Sequence, residues 1–158
     1  MVRVVTLRGD SSEGSWEEFP WTVSDGPVHL ALAHHLVQHG RQDFLIVGRG
    51  PLSGRPVVGA QVATFTAPSP QSGGIMEAQV EGPLAAGLFR LGIDAIVVLG
   101  RAPTPSGWVL HGEGTVTMEE SVVPLAASVW ETDQALREDP SELIITTGGL
   151  GMSGHPAA

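Results

Sequence analysis

Three short runs of apolar, largely branched residues, Val2–Leu7, Phe44–Val47 and Asp94–Leu99, set the main constraint on this fold. They are rich in Val and Ile, and turn residues such as Gly9, Gly48 and Gly100 follow them. Short runs of this kind read as strands, since branched side chains fit a pleated, half-buried surface. The run DAIVVL at Asp94–Leu99 carries the strongest strand signal, and Phe44–Val47 reads as a short buried strand ended by Gly48.

Further elements fall between these runs. Gly9–Gly14 is turn-rich, so Trp16–Val23 is expected to return as a hairpin partner of the first strand. Asp25 is placed to cap a helix, with Pro27 near its first turn, Gly40 beyond its end, and Leu30, Ala33, Leu36 and Val37 on one face. Val57–Thr66 reads as a strand with Gly59 as a bulge, and Ile75–Val80 as extended chain after the loop APSPQSGG. Glu81–Leu91 is expected to be helical, since Leu84, Ala85, Leu88 and Leu91 share a face and Gly92 stops it. Trp108–His111 and Thr115–Met118 form a hairpin around Gly112 and Gly114. Thr132–Glu138 reads as a short acidic helix and Leu143–Thr147 as a last strand. The expectation is one α+β domain over residues 1–158, with more strand than helix.

Composition then removes function classes. Apolar residues make up 42% and charged residues 16%, enough apolar material for a packed core. No apolar run approaches the roughly 20 residues that span a bilayer. The opening MVRVVTLRGD lacks an apolar secretory core, so a cytoplasmic setting is expected. The 158 residues contain no cysteine, which excludes disulfides, thiolate nucleophiles, zinc thiolates and cysteine-held iron–sulfur clusters from them. The net charge is −9, and the arginines are dispersed (Arg3, Arg8, Arg41, Arg49, Arg55, Arg90, Arg101, Arg137). That pattern disfavours nucleic acid and anionic membrane as partners.

Several motifs invite chemistry, and each has a plainer explanation. Gly149, Gly151 and Gly154 spell a dinucleotide fingerprint after an expected strand, but no helix follows within these residues to receive a pyrophosphate. GRGPLSGR resembles a phosphate loop, yet Arg55 stands at the lysine position and Pro51 removes an amide; a tight connection between strands explains it as well. His35 and His39 lie one helical turn apart, as metal ligands would, but no acidic residue completes the set on that helix. His111 and His155 show no partner in the sequence. Glu119, Glu120, Glu131, Asp133, Glu138 and Asp139 could supply a carboxylate pair, although such runs are more often solvated faces.

One series of segments is more specific. GPLSG (Gly50–Gly54), SPQSGG (Ser69–Gly74) and AQVEGPLAAGLFRLGIDAIVVLGRA (Ala78–Ala102) resemble, in order and spacing, the N-terminal domain of the aldehyde ferredoxin oxidoreductases. That family shows GPL-[TS]-G, then SPLTG, an A-N-S-G-G turn, a helix and an aGyDaIvieGkA strand. The resemblance continues more weakly to Thr147-Gly148. It implies two β-sheets with short helices in a pseudo-two-fold arrangement, forming a saddle under a bis-pterin tungsten or molybdenum cofactor with magnesium. It places cofactor contacts at Ala78, Gln79, Val80 and Gly82. In the family, further helical domains supply a [4Fe–4S] cluster, for which these residues hold no cysteine.

The sequence departs from the pattern at the cofactor. Glu81 stands at a glycine of the A-N-S-G-G turn, which brings a carboxylate near the phosphates, and Val62 stands near the family's arginine. The resemblance therefore implies a stand-alone saddle, not catalytic alone, docking on a separate cluster-bearing chain or on itself. A cofactor-free scaffold that kept the fold is the second reading. An independent enzyme built on His35, His111 or Glu81 is the third, and it requires those groups to converge.

Overall fold

The computed structural model describes residues 1–11, 14–21, 26–104, 106–112, 114–120 and 127–146. Its elements run β1 (Val2–Arg8), β2 (Gly14–Phe19), α1 (Val28–Gln38), β3 (Phe44–Arg49), β4 (Val62–Pro68), β5 (Ile75–Glu81), α2 (Pro83–Arg90), β6 (Ala95–Leu99), β7 (Ser106–Leu110), β8 (Val116–Glu120) and α3 (Val129–Leu136). Six strands form one sheet in the order β2-β1-β6-β3-β4-β5, and β7 and β8 form a second. The fold is α+β with two sheets and three short helices.

The chain runs twice through one pattern of hairpin, helix and strand: β1-β2-α1-β3, then β4-β5-α2-β6. Exchanging the two passes maps the sheet order onto itself, with β3 and β6 antiparallel at its centre. This is the two-fold order that the family resemblance implies. Direction differs between the halves, since β1 runs parallel to β6 while β4 runs antiparallel to β3.

Alternation along the strands sorts the core into two layers. Val4, Ile46, Ala95 and Val97 face α1, which inserts the buried Ala33 with Leu32 and Leu36 beside it. Val5, Leu7, Val47 and Ile96 face the other way, onto Leu88 of α2 and Trp108 and Leu110 of the β7–β8 hairpin. Strands covered on both faces read as unbroken apolar runs, which is why β1, β3 and β6 stand out in the sequence.

Several boundaries differ from expectation, each for a local reason. Glu81 closes β5 instead of opening a helix, because Gly82 adopts φ 142° and Pro83 then starts α2. β4 begins at Val62, and Gly59 (φ 75°) sits in the preceding turn, where it makes no bulge. α3 starts three residues before Thr132, because Ser128 and Glu131 form a reciprocal capping box. Residues 143–146 form no strand: Leu143 and Ile145 are exposed, and strand propensity builds no ladder unless tertiary packing supplies a partner. α1 begins after Pro27, and the proposed cap Asp25 lies outside the described residues.

One ion pair joins the two passes. Arg49, at the end of β3, contacts Asp94 at 2.5 Å, with side chains only 11% and 19% exposed. The Asp94 carboxylate also accepts the Arg3 amide at 2.9 Å, and Arg49 Nε donates to the Ile93 carbonyl at 2.7 Å. Both charges are thus paired and hydrogen-bonded, the condition under which such a pair survives burial. We expect Asp94→Ala to cost about 3 kcal/mol, because Arg49 is left buried without its counter-charge. Chemical denaturation measures this, and a loss under about 1 kcal/mol would contradict the clamp.

Candidate functional site: the β5 edge and the Gly82 corner

The site implied at Ala78, Gln79, Val80 and Gly82 falls on β5 and on the first cap of α2. Among the described residues β5 is the last strand of the sheet, and every residue from Met76 to Glu81 is exposed. Its register on β4 pairs Val62 with Glu81 and Pro68 with Ile75. Just beyond these ends Gly82 N–H donates to Gln61 O at 3.0 Å, and Ser69 N–H to Gly74 O at 2.7 Å. Antiparallel pairs alternate, so Met76, Ala78 and Val80 spend their backbone groups on β4. Ile75, Glu77, Gln79 and Glu81 point theirs outward. Of the four implied residues, Gln79 alone offers a free carbonyl and amide at the edge.

The side chains sort by the same alternation. Met76, Ala78 and Val80 lie on the α2 side of the sheet, beside the α2-side residues Ala63 and Phe65 of β4. Met76 and Val80 remain 42% and 46% exposed, leaving an uncovered apolar stripe. At the α2 end of the strand a shallow depression of about 320 Å³ is lined by Gly59, Gln61, Glu81 and Gly82. Val58, beside it in the chain, is fully exposed.

The GPLSGR segment shapes this corner as a rigid connection. Ser53 is buried and donates its hydroxyl to the Ala60 carbonyl at 2.8 Å. The Gln61 side chain accepts from Gly54 N–H at 3.1 Å and donates to Arg55 O at 3.0 Å, so both ends of its amide are anchored inside the loop. Gly54 has φ 80°, and a Cβ there would lie 2.1 Å from Phe89, whose ring Arg49 covers at 5.2 Å. Side-chain substitution at Gly54 therefore strains the backbone and strikes α2.

These groups do not fit a pterin diphosphate. Glu81 brings a carboxylate into the depression, no arginine lines it, and the Gln61 amide is held by the loop on both its oxygen and its nitrogen. The Gly82 amide is spent on Gln61 O. The Gln79 carbonyl, at the position where the resemblance implies a magnesium contact, faces the open edge.

The other candidate groups are dispersed. His35 and His39 stack at 4.2 Å on the exposed end of α1, with His39 Nδ1 2.8 Å from His35 O. His111 contacts Thr117 Oγ1 at 3.0 Å on the hairpin that covers the opposite sheet face. His35, His111 and Glu81 thus share no pocket. Among the described residues no three His, Asp or Glu side chains gather as metal ligands. The acidic run is consumed locally: the Ser128 amide and hydroxyl hold the Glu131 carboxyl low, Arg137 does so for Asp133, and Ser141 for Asp139. Gly149, Gly151, Gly154 and His155 lie outside the described residues.

A contact not anticipated from the sequence anchors β5. His29 of α1 reaches Glu77 at 3.0 Å, while its Nδ1 is buried without a partner. Gly48 makes room for it, since a Cβ there would lie 2.8 Å from His29 Cβ. Burial lowers the His29 pKa below its ordinary 6.5, against the opposing pull of the Glu77 charge and hydrogen bond. A histidine with a depressed folded pKa contributes full stability above the unfolded value and loses it as pH falls below that value. We expect the thermal midpoint to drop between pH 7 and pH 5, and His29→Gln to flatten part of that drop; an unchanged pH profile in the variant would contradict this. Gly54→Ala should cost about 2–4 kcal/mol from the clash and the positive φ together. An unaltered denaturation midpoint in that variant would refute the packing described.

Comparison with known proteins accords with this fold. No curated protein matches the chain. A solved structure, the active site complex BamBC of benzoyl coenzyme A reductase in complex with 1,5-dienoyl-CoA, matches with TM-score 0.69 at 20% identity over 85% of this chain. The match spans 22% of that longer chain, so the likeness is one of fold in one part of it. The profile of the aldehyde ferredoxin oxidoreductase N-terminal domain matches residues 28–158, and the chain belongs to that family.

Proposed function

We propose that this domain is a docking scaffold in a cytoplasmic oxidoreductase assembly, the saddle on which a separate chain carrying the cluster and the pterin contacts is seated. The observation that carries this reading is the uncovered α2 side of β5. There Met76, Ala78 and Val80 make an apolar stripe that leads to the uncapped start of α2 and the exposed Val58. Apolar surface left uncovered in this way marks an interaction face. The fold neighbour supports it, since that chain belongs to an active site complex, BamBC of benzoyl coenzyme A reductase.

A second reading, a scaffold that binds its partner without any pterin, is favoured by Glu81 in the corner and by Val62 where the family has an arginine. One experiment separates the two. The protein is isolated from its native host, tungsten, molybdenum and pterin are measured, and co-purifying chains are identified. The docking scaffold predicts a second, cysteine-containing chain; metal and pterin with it mark the split oxidoreductase, and their lack marks the cofactor-free scaffold. A protein recovered without any other chain would contradict both. Val80→Glu should release the second chain without moving the thermal midpoint, because the residue is half exposed and buries a charge only on docking.

A further inference from the structure

We infer that the outer backbone edge of β5 pairs with β5 of a second copy of this chain, antiparallel and in full-length register. This extends the docking reading but rests on different groups, the outward amides and carbonyls of Ile75, Glu77, Gln79 and Glu81. Such an edge is a template for strand addition.

The register follows from the sequence of the strand. A two-fold axis normal to the sheet keeps each side chain on its own face, so opposite residues must have the same parity. Centring the axis on Ala78 places Ile75 opposite Glu81, Met76 opposite Val80, Glu77 opposite Gln79, and Ala78 opposite itself. All seven residues are then paired, no carboxylate lies directly opposite another, and apolar residues meet apolar ones on the α2 side. Shifting the axis by one residue either way puts Glu77 opposite Glu77 or Glu77 opposite Glu81. The outward residues Ile75, Glu77, Gln79 and Glu81 fall at the hydrogen-bonded positions. Met76, Ala78 and Val80 fall at the closer, non-hydrogen-bonded ones.

Two consequences distinguish this arrangement. The stripes of the two copies become continuous, giving one apolar platform across a twelve-stranded sheet (two copies of the six-stranded one). The copies each carry −9, so added salt should tighten the dimer by screening their repulsion.

The native sequence has no cysteine, which makes the register directly testable. At a non-hydrogen-bonded antiparallel pair the Cα atoms lie about 4.5 Å apart, within disulfide reach. Ala78→Cys should form a covalent dimer rapidly on mild oxidation. Glu77→Cys, which faces Gln79 of the second copy, and Val58→Cys, fully exposed, should crosslink only at the collisional rate. Sedimentation of the unmodified chain at about 100 µM should show a dimer that strengthens with sodium chloride. The inference is overturned if Ala78→Cys crosslinks no faster than Val58→Cys, or if the chain sediments as a monomer. Neither result touches the docking reading, which rests on the apolar stripe and is tested by the chains that accompany the protein from its host.

Discussion

The contact between Arg49 and Asp94 ties this fold together. It sits where β1, β3 and β6 converge, and it is the point at which the first pass of the chain is joined to the second. Asp94 binds Arg3 through backbone and carboxylate, and Arg49 binds Ile93, so the strand ends are pinned by several bonds at once. The same guanidinium lies over Phe89, and Phe89 occupies the space that a side chain at Gly54 would need. The connection from Gly50 to Gln61 therefore takes its shape from a charge pair at its start and from Ser53 and Gln61 within it. A segment that reads like a phosphate loop has its hydrogen-bonding capacity turned inward.

That inward turn determines what the surface can do. With Gln61 committed and Glu81 in the depression, the corner at Gly82 repels an anion more than it attracts one, despite the open helix start beside it. The uncommitted groups lie along β5: an outward row of amides and carbonyls, and beside it a stripe of small and medium apolar side chains. Those features favour protein surfaces as ligands. Both ends of the strand are held, by Gly82 on Gln61 and by Ser69 on Gly74, and its middle is fixed to α1 through Glu77 and His29. An edge so anchored is preorganised for pairing, which lowers the ordering cost of association.

Much of this architecture is legible in the sequence, because central strands covered on both faces leave unbroken apolar runs. Val2–Leu7, Phe44–Val47 and Asp94–Leu99 announce β1, β3 and β6, and the series of GPLSG, SPQSGG and GIDAIVVLG carries the family. Boundaries governed by one backbone choice are less visible: a glycine at φ 142° followed by proline moves Glu81 from helix to strand. Leu143–Ile145 has strand composition but joins no sheet among the described residues, and pairing is a non-local property. The site was legible only by position. Parity relative to β4 decides that Gln79 faces outward while Ala78 and Val80 face inward, and that parity depends on the register of a hairpin. The His29–Glu77 contact was invisible because its residues, far apart in the chain, are joined only when α1 crosses the sheet.

The account stands or falls on the outer side of β5 being open and available. Residue-resolved amide hydrogen exchange tests this most directly, comparing the dilute chain with the assembly isolated from its host. In the dilute chain the amides of Met76, Ala78 and Val80 should be protected and those of Glu77, Gln79 and Glu81 should exchange rapidly. In the assembly both sets should be protected. Protection of Glu77, Gln79 and Glu81 in the dilute chain would show that the edge is already covered. Rapid exchange of those amides in the assembly would show that nothing pairs with that edge. Either result would contradict the account.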